Sequence, residues 1–345
     1  APLDRTGDEL RAELWGWLAA IRVRQGQFAE GARAGAEAVR RATGLGDSST
    51  LARALVTLDF ARSRLEDGAD HAGTERALDI YTELGDIPGE ATAANILGAY
   101  AYFAGQWDDA VAFYRRSRHA RERTGDPAGV ATANANLAEI LLEQGSLDEA
   151  DALLASASSV WAASDDQWSV AFADRLRGLC RCRAGAFEAA EMLLGAARAK
   201  FATLGAQADV TETDVAIAEL LLLSGNFEEA VDLLDTVIAG DPARAGLDHL
   251  LPAIYRLRGT ARAAMSGDDG LTDLARALEL SRNHEAEHEI ALTIRALGLA
   301  SGWHGEPVDP ALASEGRIIA ARLGLGPRLE PTPGVLSGRR SSGPR

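Results

Sequence analysis

The chain has 345 residues, with 35 Lys+Arg against 51 Asp+Glu and a formal charge of −16. That acidic balance excludes a nucleic-acid binder that works through bulk positive charge, because phosphate neutralisation needs stripes of Lys and Arg. It also disfavours an anionic membrane surface as partner. Lys200 is the only lysine, so Schiff-base or phosphate-cradling lysine chemistry is confined to that position.

The N-terminal stretch Ala1 to Leu10 lacks the charged-then-apolar order of a signal peptide, and it lacks an initiator Met. A processed chain or a piece of a longer one is expected. Trp15 and Trp17 flank the first structural unit, where they would cap it or pack on an upstream domain. No stretch reaches the roughly 18 apolar residues needed to span a bilayer. With only Cys180 and Cys182, the chain has no disulfide framework and fits a reducing, cytoplasmic setting.

Further along, one pattern dominates. Gly105-Gln106-Trp107-Asp108-Asp109-Ala110, Gly145-Ser146-Leu147-Asp148-Glu149-Ala150, Gly185-Ala186-Phe187-Glu188-Ala189-Ala190 and Gly225-Asn226-Phe227-Glu228-Glu229-Ala230 align with their glycines 40 residues apart. An earlier copy begins at Gly26, a degenerate one lies at Leu65-Glu66-Asp67-Gly68, and a later one begins near Gly267. A second turn marker has the same period: Gly85-Asp86, Gly125-Asp126, Asp165-Asp166 and Gly205-Ala206. Fixed self-similarity of this kind is the mark of a repeat array.

Each repeat therefore holds two turns and two segments, and both segments read as helices. After Leu147, apolar residues fall at Ala150, Leu153, Leu154, Ala157, Val160 and Trp161. After Phe227 they fall at Ala230, Leu233, Leu234, Val237 and Ile238. Steps of three and four put them on one helical face, and strand signals are nearly absent. The turn glycines suit left-handed helix ends. Asp108, Asp148, Glu188 and Glu228 then meet the positive end of the next helix. Gly98, Ala138, Gly178 and Ala218 recur at the same period and allow close helix approach. Trp107, Phe187 and Phe227 share a repeat position and are expected to pack between helices.

Three patterns suggest chemistry, and each has a structural reading. His284-Glu285-Ala286-Glu287-His288 fits H-E-x-x-H, which can hold zinc when both histidines lie on one helix. Here it falls at a turn after Asn283 and has no evident third ligand, so a zinc peptidase is the unfavoured alternative. Gly195 to Phe201 resembles a phosphate loop but lacks the second glycine and the Ser/Thr, and it sits in a helical pattern. Cys180 and Cys182 point in different directions on a helix and read as structural thiols. No catalytic, cofactor or metal residue is assigned.

These residues resemble the tetratricopeptide family. Leu97-Gly98 followed by Gly105-Gln106-Trp107 and Ala110 matches its Leu-Gly and Gly-x-aromatic-x-x-Ala pattern, and Leu137-Ala138 with Gly145-Ser146-Leu147 and Ala150 matches with substitutions. The period of 40 exceeds the usual one of about 34. The stretch Leu84 to Gly98, the run Tyr114 to Arg118, and Ala320-Ala321-Arg322-Leu323-Gly324 are similar to MalT-like repeats. They look like the C-terminal repeat regions of bacterial, actinobacterial-type adenylate/guanylate cyclase–AAA ATPase signalling proteins.

The resemblance implies an all-α, right-handed superhelical solenoid of about eight hairpins over residues 1–325. A Pro/Gly/Ser/Arg-rich tail, 326–345, is expected to be disordered by composition. The implied function is non-catalytic: a regulatory scaffold that binds a protein or peptide partner in a concave groove, in the sensor region of a larger signalling protein. An upstream cyclase or ATPase domain of the same chain is a further expected partner. The alternatives are a small-effector-sensing domain of an ATP-dependent transcription activator and a purely architectural or oligomerising array.

With the phase supplied by the family, groove-facing positions fall three and six residues before the small marker and one and four after. They include Thr92, Asn95 and Tyr102, then Thr132 and Glu139, then Arg175, then Glu212, with Asn136 one step away. Leu142, Phe172, Leu179, Val215 and Glu219 complete the set. One Arg among several Glu suits a basic or neutral peptide rather than a clustered carboxylate clamp.

Overall fold

The computed structural model describes residues 2–44, 46, 48–65, 70–265, 269–305 and 307–332. Among them every regular element is helical. The degenerate copy at 65–68 and the late one near Gly267 fall largely outside the described residues. The chain forms two compact units, Ala1–Asn136 and Leu137–Arg345, where the sequence suggests one continuous array.

Unit 1 contains α1 (Pro2–Arg24), α2 (Phe28–Thr43), α3 (Ser49–Ser63), α4 (Ala72–Leu84), α5 (Ile87–Phe103) and α6 (Trp107–Thr124). The boundary falls inside α7 (Pro127–Glu143). Unit 2 continues with α8 (Leu147–Ala163), α9 (Gln167–Arg183), α10 (Phe187–Leu204), α11 (Gln207–Leu223) and α12 (Phe227–Ala239). It closes with α13 (Leu251–Ala264), α14 (Asp269–Asn283), α15 (Glu287–His304) and α16 (Pro310–Leu323).

The helices break where the turn signals stand. Asp86 accepts from Gly89 N (3.0 Å) and Asp126 from Gly129 N (2.9 Å), each filling one of the donors a helix start leaves open. Asp165 and Glu285 take the left-handed conformation at the equivalent turns, with φ of 58° and 52°. Glycine adopts that backbone freely, whereas a side chain there carries a steric cost.

Core formation follows the same 40-residue register. Leu154, Leu194, Leu234 and Leu274 are fully buried in successive repeats of unit 2, and Tyr114 holds the matching place in unit 1. Burying a leucine contributes roughly 1.5–3 kcal/mol, so this one position is a principal source of cohesion in each hairpin. Gly98 faces Tyr114 so closely that a Cβ would lie 2.6 Å from the ring, and Gly178 meets Leu194 in the same way at 2.7 Å. The periodic small residues thus mark helix contacts. Trp107 and Phe227 are buried, as expected of inter-helix packing, and Phe187 is half-buried. Lys200 of α10 donates from Nζ to Gln167 Oε1 at the start of α9 (2.8 Å).

Candidate functional site: a charged face on unit 2 with the chain's own end laid on it

In unit 2, α9 packs on α11, α11 on α13, and α13 on α15, so the odd-numbered helices form one layer. That layer carries a chain of ion pairs. Arg183 donates to Glu143 Oε1 (2.9 Å) and, with Nε and Nη2, to both oxygens of Glu219 (2.7 and 3.1 Å). Arg256 makes a bidentate pair with Glu289 (2.7 and 3.0 Å), and Arg175 pairs with Glu212 (2.9 Å). Only 7% of the Arg183 side chain is exposed. Burial pushes the Glu143, Glu219 and Glu289 carboxyls up, but the neighbouring guanidiniums outweigh it and hold all three below the usual carboxylate value. Desolvating so many charges consumes most of the attraction they gain. The array therefore adds little net stability to the fold.

Glu139 differs from its neighbours. It makes no ion pair at contact distance among the described residues. Burial raises its carboxyl to about 7; Arg175 pulls it down only in part, and Glu212 and Glu143 push it further up.

The chain's own end crosses this face. Gly324 ends α16 in left-handed conformation (φ 65°), and Pro327 and Pro331 favour extended backbone over helix. Arg328 reaches Glu143 with its guanidinium, 185 residues away in sequence, and its side chain is only 12% exposed. Arg295 of α15 donates to the Arg328 carbonyl (3.1 Å) and to Glu330 Oε1 (2.8 Å). Gln144 donates to the Leu323 carbonyl (3.2 Å). Gly326 lies so close to the α7–α8 turn that a Cβ would be 2.1 Å from the Gln144 carbonyl oxygen, so only glycine fits there. A cavity of about 60 Å³ remains beside Arg328 to Pro331, bordered by Arg183, Glu219 and Arg256. Residues 326–332 lie against the α7–α8 turn and α15, with the Arg328 guanidinium at the half-buried Glu143 carboxylate; residues 333–345 of the expected tail lie outside the described residues.

The expected groove residues divide between the units. Glu139, Arg175 and Glu212 fall together on this layer of unit 2, with Glu219 beside them. In unit 1, Asn136 donates to Asn95 Oδ1 (3.1 Å). Thr92 and Thr132 each donate to their own helix, to the Pro88 carbonyl (3.0 Å) and the Ala128 carbonyl (3.1 Å). Tyr102 stacks on Trp107, with centroids 5.9 Å apart. Thr92 and Thr132 are exposed, while Asn95, Asn136 and Tyr102 are half-buried. Glu143, Arg183, Arg256, Glu289, Arg295 and Arg328 were not assigned from sequence. One signal was available: Glu143 and Arg183 hold the same repeat position one period apart with opposite charge.

The H-E-x-x-H residues do not share a helix. α14 ends at Asn283, Glu285 turns the chain with positive φ, and His288 lies in the first turn of α15. His284 approaches Asp248 (3.9 Å), and His288 approaches Glu289 (3.8 Å). Among the described residues no group of three or more metal-ligating side chains converges. Cys180 and Cys182 are buried, and burial raises both thiols, Cys180 to about 12. No helix among the described residues is long and apolar enough to cross a membrane.

No protein-family model and no curated protein matches the sequence. Among solved structures, the fold is similar to a Rap protein complexed with competence and sporulation factor. The TM-score is 0.68 at 12% identity, over 93% of this chain and 88% of that one. It is also similar to the Rap conjugation gene regulator of plasmid pLS20 in complex with the Phr* peptide, with TM-score 0.59, 12% identity, and 91% and 85% covered. At that identity the likeness is one of fold: an all-α helical repeat.

Proposed function

We propose that the chain is a non-catalytic regulatory scaffold whose unit 2 binds an extended peptide, or an extended segment of a partner protein, across its odd-numbered helices. One observation carries this reading: the face already holds non-helical main chain, residues 325–332, with an arginine seated on Glu143 and a carboxylate on Arg295. The two Rap structures of similar fold, one complexed with competence and sporulation factor and one with the Phr* peptide, support it. The resemblance to MalT-like and cyclase-associated repeats supports a sensor region that acts on an attached ATPase or cyclase domain inside the cell.

The test is selection of displayed random twelve-residue peptides on the full chain, alongside its Glu143→Gln variant. Enriched peptides should carry basic residues and lose binding to the variant, while its circular dichroism melt stays intact. Failure to enrich any peptide on the native chain removes the reading.

A further inference from the structure

The segment Gly326 to Pro331 has the chemistry of a ligand and the tether of a competitor. We propose that it is a built-in occupant of the unit 2 face: a partner peptide binds by displacing it, and the incoming peptide places a guanidinium on Glu143 where Arg328 now sits. This rests on the reading of unit 2 as a peptide-binding face.

Charge balance gives the first argument. Arg183 is shared between Glu143 and Glu219, so one guanidinium serves two carboxylates. Arg328 supplies the second cation. When the segment leaves, Glu143 keeps its share of Arg183 and its neighbour His288, and a half-buried carboxylate so placed still favours another full cation. A neutral or acidic side chain cannot replace Arg328 there.

The segment's attachment also suits exchange. Among the described residues no backbone–backbone hydrogen bond ties 326–332 to the helices. The Arg328 Nε is buried without a partner. Burial and the positive Arg183 beside it both work against the charge of Arg328. The Glu330–Arg295 pair is partly exposed, with 46% and 36% of the side chains accessible; such pairs are weak in water. What holds the segment is its short tether to α16, which keeps it near the face at millimolar effective concentration. A free peptide with better main-chain contacts can therefore compete.

The experiment uses a fluorescein-labelled peptide with the sequence of residues 323–332. It is titrated into the full chain and into the full chain carrying Arg328→Ala and Glu330→Ala. Removing the competitor should tighten peptide binding by about tenfold or more. The same peptide with alanine in place of its arginine should not bind. Equal affinity for both chains would overturn the competition while leaving the peptide-binding reading intact. Binding to neither chain would overturn the competition too, and the displayed-peptide selection then decides the broader reading by itself. Equal binding of the alanine peptide would overturn the guanidinium requirement.

Discussion

Glu139 gives the sharpest test of the electrostatics of this face. Burial holds its carboxyl at about 7, against an ordinary value of 4.5. Between those values the folded chain keeps the proton and the unfolded chain has released it. Stability from this group is therefore full below pH 4.5, falls as pH rises through the window, and is gone above about 7. At about 1.4 kcal/mol per pH unit the ceiling is about 3 kcal/mol. Glu139 is half-buried rather than sealed, and residual water screens the interaction, so about 1–2 kcal/mol is expected. Glu139→Gln keeps the shape and cannot ionise. Urea unfolding followed by circular dichroism should find it within about 0.5 kcal/mol of the native chain at pH 4 and about 1–2 kcal/mol more stable at pH 8.5. Every other titrating group is common to both proteins and largely cancels in the difference. An equal difference at the two pH values, or a variant less stable at pH 8.5, refutes the reasoning.

Other outcomes follow from particular contacts. Gly195 sits on an exposed turn of α10 with nothing near a would-be Cβ, whereas at Gly259 a Cβ would lie 2.8 Å from the Gly270 carbonyl oxygen. Gly195→Ala should stabilise by about 1 kcal/mol, and Gly259→Ala should destabilise by about 1–3 kcal/mol; thermal melts that move the same way for both would contradict the packing. Buried Asp59 accepts from Thr74 N (2.6 Å) and Oγ1 (3.0 Å), and Thr74 N also donates to the His71 carbonyl (2.9 Å), so Asp59→Leu should cost about 1–3 kcal/mol in urea titration chiefly by stranding the buried Thr74 hydroxyl. Glu285→Gly should raise stability by about 1 kcal/mol by relieving the positive φ. Protein dialysed against chelator and then against zinc should retain no stoichiometric zinc by atomic absorption, because Glu285 breaks the helix that the two histidines would need.

Much of the fold was legible because a repeat states each structural rule several times. The glycine markers, the capping aspartates and the buried leucines recur every 40 residues, and the helices break where they stand. The placement of Glu139, Arg175 and Glu212 near one another also followed from register, though the Arg175–Glu212 and Asn95–Asn136 contacts themselves did not. The rest of the site was hidden for two reasons. Glu143 and Arg183 lie five residues past the small markers, outside the assumed phase, yet their side chains are long enough to reach over the face. Arg256, Glu289 and Arg295 belong to late repeats whose markers had decayed. As for Arg328, composition measures whether a segment can bury a core of its own, and it is silent on whether another part of the chain offers that segment a counter-charge.

The solitary ε-amine of Lys200 sits on α10, tied to Gln167 at the start of α9. Nearly every other cation in the chain is a guanidinium, which ordinary acylating reagents leave untouched. Coupling to an activated ester above neutral pH would thus fasten unit 2 to a sensor chip mainly through one place, leaving Glu143, Arg183 and Arg295 unmodified. Scarcity of a residue type becomes a handle: apart from the terminal α-amine, acylation meets one side chain, and the ion-paired layer stays chemically intact for capture experiments.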